Sequence, residues 1–517
     1  MSIKIKKLSL LGKYDFSKDV GDVLRSLKIE VDKEAEFDEL EIFNEIVGKK
    51  VITRIKIVFF GIEYFFKKSS LVRPDERFGA EANRLVKKNL YLLLINNLVL
   101  DEVPYGILHG VRPAKIIQRW LREGYGVTSQ GVIDRDKISR RICSDFLTER
   151  DKAELLTEVA LRQLPIINRG EKKIGIYIGI PFCKTRCLYC SFPSFVLPAE
   201  NVIAEFMAAL IRDIEAAADA INRYALEVQT IYIGGGTPSA LPEKFFAEMI
   251  ETVHKNFYGA GVEEFTVECG RPDTITAEKI SVMKNFNVTR VSVNPQTMHQ
   301  RTLDIIGRQH TVEDVIRAFN ELRAANDWKI NTDLIIGLPG ERLKDFKETL
   351  KEILALKPDD VTIHALSIKR GSKLQTNLAD ELNRLEDFDL PEDLEVRRMA
   401  GYAEKILRDE KFFPYYLYRQ GYMSGQIENV GWCRKGAEGI YNVQIMGERQ
   451  TILGIGAAAS TKIPDNAAWK IRTAFNAKDL KTYMNDLEKY IARREKILAE
   501  VYGGGINDGI RDTGRDD

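Results

Sequence analysis

The sequence lacks most of the features that would announce a protein class on their own. It has only six cysteines in 517 residues, too few for a disulfide-built scaffold, so any clustering among them calls for a chemical reason. Charge of one sign is missing too. Lys and Arg (77) nearly cancel Asp and Glu (76), leaving a formal net charge of +1, which gives no global reason for a nucleic-acid coat or a polybasic membrane binder. Long apolar runs are absent. Leu90–Leu100, the most apolar stretch, is interrupted by Asn96 and Asn97; it is too short to span a bilayer and reads as a buried helix. The basic start, Met1–Lys7, leads into no apolar stretch of signal-peptide type. These absences predict a cytoplasmic protein with free thiols, no membrane span and no nucleic-acid partner.

What is present is ordinary for a folded chain, with 44% hydrophobic and 30% charged residues, and the length implies two to four domains. Residues 1–168 read as an N-terminal α+β extension, with a strand at Val51–Phe60 and helices at Glu81–Leu100 and Lys152–Leu164. Polar Asn168–Lys173 reads as a linker. Over 169–375 strands and helices alternate. The strands are Ile174–Ile180, Val228–Ile233, Glu264–Glu268, Arg290–Asn294, Asn331–Ile336 and Asp360–Leu366. The helices include Ala277–Asn285, Thr311–Ala325 and Lys344–Leu356, and a further helical face runs from Ile203 to Ile214. Such alternation predicts a parallel α/β sheet with its chemistry at the C-terminal strand ends. Residues 376–502 read as a C-terminal α+β domain, with helices at Pro391–Glu410 and Asp479–Tyr502, and 503–517 as a disordered tail.

Three of the six thiols fall in one loop, as Cys183-x3-Cys187-x2-Cys190. Zinc sites favour four ligands and C-x2-C pairs, and no fourth Cys or His lies nearby in sequence. Three thiolates suit three irons of a [4Fe–4S] cube and leave the fourth iron open. Gly234-Gly235-Gly236-Thr237-Pro238 ends the second strand, where glycines allow a ligand close to the backbone. Glu268 ends the third strand, Gln296 and Arg308 follow the fourth, and Asp333 interrupts the apolar fifth. Each alone reads as readily as a surface or salt-bridge residue. As a set they have the chemistry to bond a nucleoside amino acid.

The cysteine spacing resembles the signature of the radical S-adenosylmethionine enzymes. That likeness implies a partial (β/α)6 TIM-like barrel, a [4Fe–4S] cluster on Cys183, Cys187 and Cys190, and S-adenosyl-L-methionine chelating the open iron. Three segments narrow it to the oxygen-independent coproporphyrinogen III oxidases: Tyr177–Cys183, Arg290–Gln296 and Asn331–Gly340. Tyr105–Lys115, Tyr416–Gln420, Glu428–Gly431 and Tyr441–Met446 look like the longer HemZ group of coproporphyrinogen dehydrogenases. By this resemblance Tyr177, Tyr189, Gly234, Gly235, Gly236, Thr237, Glu268, Gln296, Arg308 and Asp333 contact S-adenosylmethionine. A tetrapyrrole is the implied substrate, with an electron donor and an acceptor still to be assigned. Arg112, Arg419 and Arg434 are candidates for its carboxylates, and His364, on the sixth strand, reads at least as readily as a satisfied core histidine as one facing the cavity.

Two positions depart from the family pattern. Phe192 replaces a further cysteine, and Gly179 replaces a histidine two positions after the strand tyrosine. The haem chaperones of the same superfamily carry an H-N-x-x-Y-W motif that this chain lacks. A haem-binding relative without oxidase activity, and a radical enzyme with another substrate, remain alternatives. Gly454-Ile455-Gly456 imitates a dinucleotide fingerprint but is followed by no acidic βαβ unit. Cys143, Cys269 and Cys433 read as buried or incidental thiols.

Overall fold

The apolar run after residue 172 becomes the first of six strands that carry the site. The computed structural model describes residues 3–503, apart from 13, 33, 36, 74–77, 99, 168–171, 191, 368–388, 422 and 466–469. The expected tail from 504 onward and most of the expected linker lie outside the described residues. Two compact units result, Met1–Leu161 and Arg162–Asp517.

The first unit holds β1 (Ile3–Leu11), α1 (Ser17–Ser26), β2 (Ile29–Val31), β3 (Phe37–Val47), β4 (Lys50–Phe59) and β5 (Ile62–Leu71). These strands form one sheet in the order β2-β1-β3-β4-β5. Alternate residues of β3 and β4, among them Leu40, Ile42, Val51 and Ile55, are buried; this is the period-two pattern of a sheet with one covered face. α2 (Phe78–Leu98) buries Leu85, Val86, Leu90 and Leu94 in the same core. α3 (Ala114–Arg122), α4 (Arg135–Phe146) and α5 (Arg150–Gln163) follow.

The second unit begins with β6 (Lys173–Ile180), then the two-residue strands β7 (Phe182–Cys183) and β8 (Phe195–Val196), and α6 (Glu200–Arg223). It continues through β9 (Glu227–Gly235), α7 (Glu243–Phe257), β10 (Glu264–Glu268), α8 (Ala277–Asn285), β11 (Arg290–Ser292), α9 (Gln300–Ile305) and α10 (Val312–Ala325). Next come β12 (Lys329–Ile336), α11 (Leu343–Ala355), β13 (Asp360–Ala365), α12 (Asp393–Asp409), β14 (Phe413–Tyr418) and β15 (Asn429–Cys433). The chain ends with α13 (Ile440–Gly447), β16 (Thr451–Gly456), β17 (Ser460–Asp465), β18 (Lys470–Phe475), α14 (Leu480–Asn485) and α15 (Leu487–Tyr502).

All six expected barrel strands are present, parallel and adjacent in the order β13-β12-β11-β10-β9-β6. Because β13 and β6 do not pair with each other, the barrel is partial and has two open edges. The strands after residue 376 occupy those edges. β15 adds antiparallel to β13 and β14 to β15, while β16 adds parallel to β6 and carries β17 and β18. Bare edges would leave rows of unpaired backbone groups, which explains why the expected C-terminal domain is built onto the barrel's own sheet.

Two details differ from the sequence expectation. The fourth strand ends at Ser292, and the helix expected over Asp479–Tyr502 is two helices. Asp479 caps the first by accepting the Thr482 amide at 2.8 Å, and Asp486 takes a non-helical conformation between them. Among the described residues, no helix is long and apolar enough to cross a membrane.

Candidate active site at the strand ends

The three-cysteine loop leaves the C-terminal end of β6 and is tied to three neighbouring strand ends. Gly236 N–H donates to Ile180 O (2.8 Å) and Thr237 N–H to Phe182 O (2.7 Å), fixing the start of the loop against the turn after β9. Leu188 N–H donates to Ile306 O at 3.0 Å, anchoring its far side beyond β11. Thr237 Oγ1 lies 3.6 Å from Cys183 Sγ. The Arg271 guanidinium, just past β10, donates to Thr185 O (2.8 Å) and to Cys187 Sγ (3.1 Å). Burial alone would push the Cys187 thiol up, but Arg308 and Arg271 outweigh it and hold the thiol below its ordinary value. At Cys190 burial leads and pushes the thiol up, against the Phe192 amide and the Arg186 charge.

The glycines are needed for backbone contact as well as for any ligand. Gly235 has a φ of +113°, and a Cβ on Gly236 would meet Phe182 O at 2.4 Å. A Cβ on Gly234 would meet Glu268 Oε2 at 2.7 Å. Glu268 Oε2 accepts the Gly235 amide at 3.1 Å, and its other oxygen accepts from the Tyr232 hydroxyl. Burial, reinforced by the Asp333 charge, raises the Glu268 carboxyl to about 7 despite these hydrogen bonds. One layer beneath, Tyr177, Tyr232 and Tyr441 stack, with Tyr232 and Tyr441 centroids 4.3 Å apart. Tyr441 arrives on α13, whose first amides, Ile440 and Tyr441, donate to the Glu264 carboxylate at 2.9 and 3.0 Å.

Arg308 is buried and acts as a staple. It donates to Gly270 O (3.2 Å), to Asn294 O and to Tyr189 Oη (3.2 Å). Gln296 sits at φ +73° because its own backbone bridges to β12: its N–H donates to Asp333 O (3.1 Å) and its O accepts from Ile335 N–H (3.0 Å). Asp333 accepts from Asn331 Nδ2 at 3.0 Å and lies 3.7 Å from His364 Nε2. Burial raises its carboxyl, but the His364 contact leads a set that brings it below the usual range. His364 Nδ1 in turn is 3.1 Å from the Tyr418 hydroxyl.

The residues selected for S-adenosylmethionine therefore gather at one end of the sheet, with Tyr177 a layer below the rest, whereas Arg112 lies in the first unit. Arg419 follows Tyr418 at this end and donates to Gln426 O at 3.2 Å. Arg434 does not belong here: its N–H donates to Asp359 O, just before β13 begins, at the opposite end of the strands. The sequence reading missed Arg271, Tyr232 and Tyr441. Position directly after a strand end could have flagged Arg271. Tyr441 had no local signal, since it reaches the barrel from a distant helix.

The donor set fits the implied groups. Three thiols share one loop, and the two guanidiniums beside Cys187 favour its thiolate. Among the described residues no three His, Cys, Asp or Glu side chains converge on a single ion, and a cube, whose thiolates bind separate irons, does not call for that. Two acidic side chains, Glu268 and Asp333, supply partners for a cationic amino acid. Ser292 Oγ, Asn294 Oδ1 and Gln296 Oε1 are buried with no hydrogen-bond partner among the described residues, and such groups are satisfied by a ligand or water.

Both departures from the family pattern have a physical setting. A Cβ at Gly179 would meet Ala457 O at 2.7 Å, because β16 runs alongside β6 there. Gly454 and Gly456 likewise pack backbone to backbone, against Ser460 and Gly179. This explains the Gly-Ile-Gly run without a nucleotide. Phe192 is exposed.

The sequence pattern of the Radical SAM superfamily matches residues 177–353. The oxygen-independent coproporphyrinogen-III oxidase-like protein HemZ of Bacillus subtilis is 35% identical over 430 residues, covering 82% of this chain and 83% of that protein. The heme chaperone HemW of the same organism is 32% identical over 198 residues, 37% of this chain and 50% of that protein. Among solved structures, coproporphyrinogen III oxidase (HemN) from Escherichia coli is similar at a TM-score of 0.49 and 20% identity, over 64% of this chain and 72% of that one. With a radical SAM fold, a thiol-bearing loop at its strand ends and a relative alike over four-fifths of both lengths, the chain belongs to the radical SAM superfamily and, within it, to the family of HemZ-like, oxygen-independent coproporphyrinogen-III oxidase-like proteins.

Proposed function

We propose that the protein oxidatively decarboxylates two propionates of coproporphyrinogen III to vinyl groups, giving protoporphyrinogen IX, in the cytoplasm. The observation that carries this reading is the meeting of the Cys183–Cys190 loop, Glu268, Gln296 and Arg308 at adjacent strand ends, in a chain so similar to the HemZ protein. Cys183, Cys187 and Cys190 would hold a [4Fe–4S] cluster, and S-adenosylmethionine would lie against Tyr189, Gly234–Thr237, Glu268, Gln296, Arg308 and Asp333. When bound, these groups would supply one-electron chemistry that generates a hydrogen-abstracting radical.

The chain's own part is to hold and shield. Arg271 and Arg308 fix the loop and keep positive charge beside the Cys187 thiolate. Glu268, buried at a cost, gains by meeting an ammonium group. Tyr177, Tyr232 and Tyr441 fill the space beneath and keep water out. Each propionate loses a hydrogen atom from its β-carbon, carbon dioxide and one electron, so an external electron donor and an acceptor are required. The barrel of residues 169–375 carries the chemistry, and the segment 376–502 completes its sheet.

Anaerobic incubation with coproporphyrinogen III, S-adenosylmethionine and a reductant tests the reading, with vinyl products followed by mass spectrometry. Protoporphyrinogen IX is the expected product. Cleavage of S-adenosylmethionine without vinyl product would sink the oxidase assignment. Stoichiometric haem binding without turnover would instead place the protein with the heme chaperones.

A further inference from the structure

β5 is a free edge of the first unit's sheet, and an unusual one. The opposite edge, β2, spans only three residues, which is how folded proteins ordinarily blunt an edge. β5 spans ten residues and, among the described residues, pairs with β4 alone, from Phe59↔Ile62 to Lys50↔Leu71. Its surroundings are apolar and open: Phe60 is 75% exposed, Phe65 69%, Leu71 70% and Ile62 58%.

The hairpin geometry determines which backbone groups are free. The turn residues Phe60 (φ +48°) and Gly61 (φ +74°) form a two-residue loop of the primed type. Phe59 and Ile62 therefore exchange both hydrogen bonds, and bonded and non-bonded pairs alternate from there. Even-numbered residues of β5 bond to β4, in keeping with the Val72 N–H donating to Lys49 O at 2.8 Å. The N–H and C=O of Glu63, Phe65, Lys67 and Ser69 point to the free side.

We propose that this edge pairs with the β5 edge of a second copy, antiparallel about a twofold axis through Phe65, making one sheet continuous across two chains. An odd residue must lie opposite an odd residue, because only those carry free groups. The strand has one acidic residue, Glu63, and two basic ones, Lys67 and Lys68. With Phe65 opposite Phe65, Glu63 of each copy lies opposite Lys67 of the other, and Tyr64 lies opposite Phe66. Slipping by two residues either way sets Phe65 against a charge and leaves Glu63 and Lys67 unmatched. A further slip sets Lys67 against Lys67 or Glu63 against Glu63. Lysines on an edge strand discourage indiscriminate pairing; here they select one register. Glu63 also meets Lys56 of its own sheet at 2.7 Å, so the three charges would form a chain across the joint. A self-complementary patch of this kind gives a closed, twofold pair and not a filament.

Sedimentation equilibrium of the full chain decides the matter. The expected species has twice the 58.9 kDa chain mass. E63K and K67E should each raise the dissociation constant about tenfold or more, since either change sets two like-charged pairs across the joint. The double variant E63K/K67E restores the matched pairs and should bring the constant back close to wild type. Monomeric wild type up to roughly 100 μM, a concentration well above ordinary working affinities, would overturn the proposal. So would single variants that dimerise like wild type, or a double variant that fails to recover. Circular dichroism checks that each variant is folded. The pairing does not depend on the reaction proposed above: a monomer that makes protoporphyrinogen IX refutes only the pairing, and an inactive dimer only the reaction.

Discussion

Replacing Glu268 with Gln is expected to make the protein without its cofactors more stable while costing it S-adenosylmethionine. The carboxyl is pressed against Gly234, bonded by the Gly235 amide and the Tyr232 hydroxyl, and sits near Asp333. Its folded value is about 7 against an ordinary 4.5. A group raised on folding favours the fold fully below the unfolded value and loses that contribution as pH climbs through the folded value. Between pH 4.5 and 7 the wild type is therefore progressively destabilised by having to ionise this side chain in place. The difference converts to about 3 kcal/mol at most, and the side chain's remaining solvent contact brings this down to about 1–2 kcal/mol. Gln keeps the shape: its carbonyl accepts the Gly235 amide and its NH2 donates to Tyr232. Denaturant unfolding of E268Q and wild type, both without cofactors, should show no gap near pH 4.5 and a gap of that size in favour of E268Q at pH 8. Equilibrium binding of S-adenosylmethionine should fall in the same variant. A variant destabilised equally at both pH values would refute the burial argument.

Other consequences can be measured separately. Arg494 Nη1 lies 2.7 Å from Asp213 Oδ1 with both side chains buried, so R494A leaves a buried carboxylate unmatched and should cost about 3–5 kcal/mol in chemical denaturation. G236A drives a Cβ to 2.4 Å from Phe182 O, whereas G259A meets nothing within 4 Å; anaerobic reconstitution should give depressed iron content in the first and normal content in the second. R271A removes a cation that donates to Cys187 Sγ at 3.1 Å. With all three cysteines kept, it should retain iron but shift the cluster's midpoint potential to more negative values, because a nearby positive charge favours the reduced form.

The barrel was legible because its signals are local. Ile174–Ile180 announces itself by its nearly unbroken apolar run, Asn331–Ile336 by the apolar Leu334–Ile336 that follows Asp333, and Cys183-x3-Cys187-x2-Cys190 by spacing within a single loop. The glycine turn was legible for the same reason, although the structure adds a demand of its own, the close approach of Phe182 O to Gly236. Long-range pairing stayed hidden. Nothing in Thr451–Gly456 says that it will lie beside Lys173–Ile180, and Arg434 reads as a plausible carboxylate partner until antiparallel pairing of β15 carries it to the far end. The Tyr177–Tyr232–Tyr441 stack was hidden likewise, because its third ring depends on Glu264 capturing the first amides of a distant helix.

The central claim is that three cysteines of one loop hold a cluster whose open iron receives S-adenosylmethionine. Electron paramagnetic resonance of the reconstituted, reduced protein tests it most directly, read with and without S-adenosylmethionine and beside C187A. The expected result is about four irons per chain, a reduced-cluster signal that changes when S-adenosylmethionine is added, and loss of that signal in C187A. A wild-type spectrum indifferent to S-adenosylmethionine, or a C187A protein with the same iron and the same signal, would contradict it.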